Sequence, residues 1–324
     1  MLGLKFADRT FRFANIDHLD NGLELTAAGA GLLPFNAKLR GQICSAGTQR
    51  LVDALDRALD KAEIERGDTV VILDGRSLLR TVFPLATEKA ESPETLKEYA
   101  RWELSQRWNG PGDKDMLQFE GMIRSRRGET TIVDVWGGHP EVFDGFEKVV
   151  EAVGCRVARW DCDQWAITRL FETYSAEIGC VEPSVVALLE AESLEISLID
   201  DICSVGVTSL KEKKSNSMRQ SWDPDDPDSL ATEIIKCMQE LSGRWTALWS
   251  GEDIEVSRLF FTGSVEEPEM LLASLVRSLS IRVEMMELQK IFFMDESLVE
   301  SPLIRSNLGA FALCAGGALI SQIS

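Results

Sequence analysis

The sequence predicts an α/β protein of two similar lobes, with a small α+β module inserted into the first and a second lobe of reduced size. Three observations carry that prediction. The strand–turn–strand–turn–strand opening of residues 2–28 is written again at residues 185–210, and self-similarity of this kind marks a duplicated unit. Between the copies, residues 78–153 read as strand, helix, hairpin and helix, an order complete in itself. Short β-branched runs such as residues 69–73 have the character of strands buried on both faces.

In chain order, residues 2–17 read as two strands joined by a polar turn at Asp8-Arg9-Thr10, with Phe11, Phe13 and Ile16 alternating toward one side. Asn21-Gly22 is a hairpin turn signal ahead of a third strand at 23–28. Leu51, Leu55 and Leu59 share one face of a helix over 48–62. The module opens with a strand at 78–85. Ser92, Pro93 and Glu94 then supply an N-cap, a first-position proline and early acidic charge for a helix running to about Trp108. Residues 116–125 and 130–137 pair as a hairpin around Arg126-Arg127-Gly128, and a helix follows at 140–153. A strand at 156–161 and a helix at 162–175 complete the first lobe, which comprises residues 1–77 and 154–182. The second lobe covers 183–324. Its linker and long amphipathic helix occupy 211–250, its later strands lie at 259–261 and 282–286, with a helix at 268–279 between them, and a helix rich in Ala and Gly ends the chain.

Composition narrows the function classes. Net charge is −19, from 53 acidic and 34 basic residues, with no compensating basic stripe. Such a field repels phosphate backbones, so nucleic acid is not expected as a partner. The seven cysteines (Cys44, Cys155, Cys162, Cys180, Cys203, Cys237, Cys314) are scattered, and the only histidines are His18 and His139, so no metal site is expected. Scattered reduced thiols suit the cytosol. Charge interrupts the first apolar run at Lys5 and Asp8, unlike a signal peptide. The apolar run at 308–320 falls short of the ~20 residues that span a bilayer and reads as a core helix, so no direct membrane insertion is expected.

Three stretches resemble one family in order along the chain. Leu2-Gly-Leu-Lys-Phe-Ala-Asp-Arg-Thr-Phe-Arg is similar to the opening of the PilM family of type IV pilus assembly proteins, Ser92-Pro-Glu-Thr-Leu-Lys-Glu-Tyr-Ala-Arg-Trp-Glu-Leu-Ser-Gln to the helix of its inserted subdomain, and Leu259-Phe-Phe-Thr-Gly-Ser to its late glycine turn. That family is related to the cell-division protein FtsA and to the cytoplasmic half of the type II secretion L protein. The resemblance implies an actin-like (RNase H-like) two-lobed fold. It also implies a cytoplasmic scaffold, recruited peripherally to the inner membrane by the N-terminal tail of a PilN-like bitopic protein, with other pilus or secretion components as further partners. The tail would lie between the first lobe and the module, near Leu78, Leu79, Arg80, Tyr99, Trp102, Glu103 and Gln106.

The chain departs from that family where nucleotide would be held. Lys5 stands in the aspartate position of the first turn and Ala7 in the glycine position, followed by the bulkier Asp8, Arg9 and Thr10. The second turn has no glycine and carries Glu190 and Glu192 ahead of Ser193, placing carboxylates where polyphosphate would lie. The late turn keeps only Thr262 and Gly263 of its pattern. Binding of ATP and magnesium is therefore not expected, and the chain is read as non-catalytic; the alternative is an actin-like ATPase or kinase with a degenerate site. Asp161 and Asp163 are read as helix caps, His139 as a loop residue, and the Arg124, Arg126 and Arg127 run as a solvated hairpin tip. Trp245 and Trp249 share a packed helix face, while Trp108 and Trp222, beside loops, are candidates for partner contact.

Overall fold

The computed structural model describes residues 1–7, 10–33, 38–39, 42–43, 45–73, 78–108, 113, 116–190, 193–200, 204–210, 223, 226–248, 253–264 and 267–319. Its first sheet is built by β1 (Leu2–Phe6), β2 (Thr10–Leu19) and β3 (Gly22–Leu32), antiparallel in sequence, followed past the short ribbon β4 (Lys38–Leu39) and β5 (Gln42–Ile43) and helix α1 (Ser45–Lys61) by β6 (Asp68–Leu73), parallel to β1. The module follows with β7 (Leu79–Ala86), α2 (Thr87–Ala90), α3 (Pro93–Arg107), β8 (Gln118–Arg127), β9 (Thr130–Gly138) and α4 (Pro140–Ala152). Then β10 (Arg156–Cys162) joins β6 in parallel, and α5 (Asp163–Ile178) leads to the second half.

The second sheet repeats the design: β11 (Ser184–Leu189), β12 (Ser193–Ile199) and β13 (Ser204–Leu210) run antiparallel, α6 (Pro227–Leu248) crosses over, and β14 (Arg258–Gly263), α7 (Pro268–Ser278) and β15 (Arg282–Met285) add parallel strands. Spatial order is β13-β12-β11-β14-β15, matching β3-β2-β1-β6-β10 in the first sheet. The duplication read from sequence is thus a duplication of sheet topology.

After β15 the chain returns to the first half. β16 (Phe292–Phe293) pairs parallel with β3 as a sixth strand, α8 (Glu296–Glu300) and α9 (Pro302–Asn307) follow, and α10 (Ala312–Ala318) packs on β1 and α5. A second lobe running unbroken over 183–324 does not describe this packing. Neither does a module ending at 153: Phe143, Phe146, Val149 and Val150 of α4 are buried with Phe6, Leu51 and Leu55 in the core of the first sheet.

The layers follow from strand alternation. Leu2, Leu4 and Phe6 face α1 and α4, whereas Ala14, Ile16 and Ile72 face α5 and α10. In the second sheet Val185, Ala187 and Leu189 face α6 and α7, and Val186, Leu188 and Phe260 face Phe171 and Tyr174 of α5. Helices α5 and α10 therefore form an inner layer, with ten consecutive or near-consecutive buried positions along α5 and all seven residues of α10 buried. Close approach requires small residues there, and a side chain at Gly316 would collide with the Ala166 carbonyl of α5. Overpacking such a contact costs about 1–3 kcal/mol or more. Gly316→Val is expected to lower the melting temperature by roughly 5 °C or more, given about 2–4 °C per kcal/mol for proteins of this size; calorimetry showing an unshifted melt would refute the close-packed inner layer.

Candidate functional site

Two places concentrate polar groups against the sheets. The first lies where the β1–β2 turn meets the ends of β11 and β14. Lys5 and Arg12 are register partners on neighbouring strands, and like charges placed opposite each other repel. Each is neutralised from outside the first sheet, Lys5 by the inner layer and Arg12 by the second sheet. Lys5 Nζ donates to Asp163 Oδ1 at 2.8 Å, with both side chains buried, and Arg12 Nη1 donates to Glu190 at 2.8 and 3.0 Å. Arg12 also donates to the Ser264 hydroxyl and the Ala310 carbonyl, each at 3.2 Å. The Ala7 N–H donates to the Thr10 carbonyl at 2.8 Å and closes the hairpin turn. At Gly263, with φ of +113°, any Cβ would strike the Leu189 backbone, so glycine alone lets β14 end against β11.

The second place is a cavity of about 690 Å³ along one edge of β7. The module sheet has the order β7-β9-β8, so β7 pairs on one side only. Phe83, Leu85, Val133 and Val135 cover α3 on one face of this sheet. On the other face Trp136 enters the core of the first sheet and Ile132 that of the second. Between these two apolar anchors lies a buried polar junction. Arg80 donates through two nitrogens to Asp134 at 2.8 and 2.6 Å, donates to Gln164 Oε1, and reaches the Ser204 carbonyl at 3.5 Å. The indole N–H of Trp165 donates to Asp134 at 2.8 Å, and Gln164 donates to Glu195 at 3.3 Å. Burial works against the Arg80 charge, but Asp134 outweighs it and holds the guanidinium above its ordinary pKa.

The outer edge of β7 is open. Leu79 to Pro84 line the cavity without interruption, and among the described residues no group bonds that edge. Proline has no N–H and is tolerated in a ladder only where that position faces away from the neighbouring strand. Pro84 opposes Ile132 of β9, so its main chain faces outward. In an antiparallel pair this property alternates, so Val82 and Arg80 also present N–H and C=O to the cavity. The opposite wall includes β13, whose carbonyls at Gly206 and Ser204 already accept from Arg244 and Arg80. Two buried polar atoms among the lining residues, Thr81 Oγ1 and Trp136 Nε1, have no hydrogen-bond partner. Cys162 also lines the cavity, but burial raises its thiol pKa and removes the thiolate needed for nucleophilic chemistry.

A search of protein-family models finds no match, and a search of curated proteins finds none either. Solved structures do match. The chain superposes on the structure described as the PilM–PilN type IV pilus biogenesis complex with a TM-score of 0.76 at 16% identity, covering 98% of this chain and 97% of that one. A Bacteroides thetaiotaomicron protein described as having an actin-like ATPase fold and unknown function matches with a TM-score of 0.52 at 10% identity, covering 90% and 91% of the two chains. The fold is actin-like. The cytoplasmic domain of EpsL, an inner-membrane component of the type II secretion system of Vibrio cholerae, gives a TM-score of 0.46 at 15% identity over 87% and 96% of the chains.

Within this actin-like frame the first group of sequence-predicted residues is distributed as follows. Lys5, Ala7, Thr10, Glu190, Ser193, Thr262 and Gly263 lie at the turns between the sheets; Asp8, Arg9 and Glu192 fall outside the described residues. Glu190 N–H donates to the Ser193 carbonyl at 2.9 Å, and the Thr262 hydroxyl is buried without a partner. Sequence reasoning missed Arg12, whose signal was an alternating cation one strand from Lys5. The cap assignment is corrected: Cys162 holds the N-cap position of α5 without a side-chain cap bond, Asp163 pairs with Lys5, and Asp161 pairs with buried Arg169. Burial pushes the Asp161 carboxyl above the usual range, against the pull of Arg169.

Of the groove residues, Leu78, Leu79, Arg80 and Glu103 line the cavity, whereas Tyr99, Trp102 and Gln106 do not. Tyr99 packs in the module core and accepts from Lys89 at 2.8 Å. Trp102 is 55% exposed on α3. Trp108 is half-buried against the module core, Trp245 is buried in the second sheet's core, and Trp222 and Trp249 lie outside the described residues. Pro84, Arg107, Gln164, Glu195 and Arg244 were missed as lining residues; a proline inside a predicted strand was the available sign of an edge. The described residues contain no group of three or more His, Cys, Asp or Glu arranged for a metal, and no helix long and apolar enough to cross a membrane.

Leaving one partner of a buried pair alone costs about 3–5 kcal/mol, whereas an apolar replacement of both is often neutral. Asp134→Ala is therefore expected to destabilise by that amount in urea denaturation, and Arg80→Met with Asp134→Leu to recover most of it. Equal losses in the single and double variants would show that the pair is not an isolated charge junction.

Proposed function

We propose that the chain is a non-catalytic scaffold of a type IV pilus or type II secretion-like machine, binding the cytosolic N-terminal tail of a PilN-like bitopic inner-membrane protein. The observation that carries this reading is the open edge of β7 set in a cavity large enough for several extended residues. An incoming strand would gain main-chain bonds from Arg80 and Val82, and its alternating side chains would point toward α3 on one side and toward α5 and β13 on the other. Likeness to a structure described as a PilM–PilN complex supports the choice of partner, and recruitment by such a tail would hold the protein at the cytoplasmic face of the inner membrane.

Non-catalysis is supported by the turns between the sheets. Lys5 and Arg12, the described cations beside these turns, already hold Asp163 and Glu190. Purified protein is expected to show no ATP hydrolysis above background and no saturable binding of Mg-ATP below the high micromolar range; magnesium-dependent tight binding in calorimetry would favour the ATPase or kinase alternative.

Docking is tested with synthetic peptides copying the first residues of bitopic inner-membrane proteins encoded beside this one, followed by fluorescence anisotropy. Affinity is expected near micromolar, since ordering a flexible tail offsets part of the contact energy. Val82→Pro removes an outward N–H without breaking the β9 ladder and should weaken binding at least about tenfold, or ~1.4 kcal/mol. Trp102→Ala should leave it unchanged. Full affinity in a well-folded Val82→Pro variant would exclude strand addition at β7.

A further inference from the structure

Arg12 is more than a neutralised cation. From β2 its guanidinium reaches the end of β11 through Glu190, the residue after β14 through Ser264, and the turn before α10 through Ala310. Both carboxylate oxygens of Glu190 accept from one nitrogen, and the second nitrogen is held by the serine hydroxyl. A planar guanidinium fork flanked by a hydroxyl is a geometry suited to an oxyanion. The side chains of Arg12 and Glu190 are 13% and 8% exposed, so the pair is largely withdrawn from water.

We propose that the Glu190 carboxylate is the resident occupant of an anion site formed by Arg12 and Ser264, and that this internal ligand keeps the two sheets closed at this end without any bound molecule. The carboxylate is tethered to β11, so a free anion competes against a partner of high effective concentration. Removing it leaves a buried cation without its counter-ion, a state that favours capture of a small anion from solution. The site is separate from the β7 cavity, so the proposal stands or falls independently of peptide docking.

The test uses the whole chain with Glu190→Gln, inorganic pyrophosphate without magnesium as the probe, and calorimetry as the readout. Wild type is expected to show no saturable binding in the millimolar range. Glu190→Gln should bind at least about tenfold more tightly than the wild-type limit, and adding Arg12→Gln should abolish the gain. Hydrogen exchange over residues 186–190 and 260–264 should quicken in Glu190→Gln and slow again when pyrophosphate is added, a reversal that a merely structural ion pair does not produce. Should Glu190→Gln fail to fold, Glu190→Asp keeps the charge on a shorter arm and should show the same quickening, again reversed by the probe. A folded Glu190→Gln that binds pyrophosphate no better than wild type, equal binding by the double variant, or unchanged exchange in Glu190→Asp would overturn the proposal.

Discussion

Helix α5 is pressed between the two sheets, with α10 packed against it and the first sheet, and this shared inner layer sets the terms for everything around it. A helix enclosed on all sides has no solvated face, so its residues are either apolar, small or paired in charge. The C-terminal helix meets the demand with Ala and Gly, allowing β1 and α5 to approach its backbone closely. The last two turns of helix α5 reach solvent at Glu172 and Glu177, but over residues 163–171 it meets the demand with Trp165, Leu170 and Phe171 and with the bonded polar residues Asp163, Gln164, Thr168 and Arg169.

Those polar residues organise both candidate sites. Asp163 turns toward the first hairpin and takes Lys5; Gln164, the next residue, turns the other way and takes Arg80 and Glu195. Successive helix positions are about 100° apart, so neighbours in sequence serve different surfaces. One helix start thus seats the inter-sheet turns and the module together. Charges in such places stabilise little beyond what their desolvation costs, but each fixes which strand lies against which.

The duplicated strand order and the module's helix were legible because local chemistry declares them: alternation in residues 10–16, the Ser92-Pro93-Glu94 helix start, the leucine face of α1. Ser92 does accept from Thr95 N–H, as a cap should. The ownership of α4 and of the last thirty or so residues was not legible, since an apolar helix face carries no record of which sheet it will cover. The same holds for the charged residues. Asp163 beside a helix start looks like a cap in sequence, and its true partner lies 158 residues away. The groove residues came from the family resemblance, and only Leu78, Leu79, Arg80 and Glu103 of them line the cavity. Tyr99, Trp102 and Gln106 sit on α3 away from it, because a likeness in one helix motif does not say what lies opposite each of its faces.

Open strand edges carry a hazard, because an edge that accepts one strand can accept another copy of itself and begin a growing ladder. Two other sheet edges carry exposed charged pairs: Arg156 with Asp68 beside β10, and Arg282 with Glu284 on β15. The charged pair on β7, Arg80 with Asp134, is buried under the sheet rather than set out along its edge, but that edge does have Pro84. With no N–H at that position, any ladder built on Arg80 and Val82 runs out after a few residues. The proline therefore works as a length limiter: it admits a short strand from another chain while denying the long, continuous pairing from which aggregates nucleate.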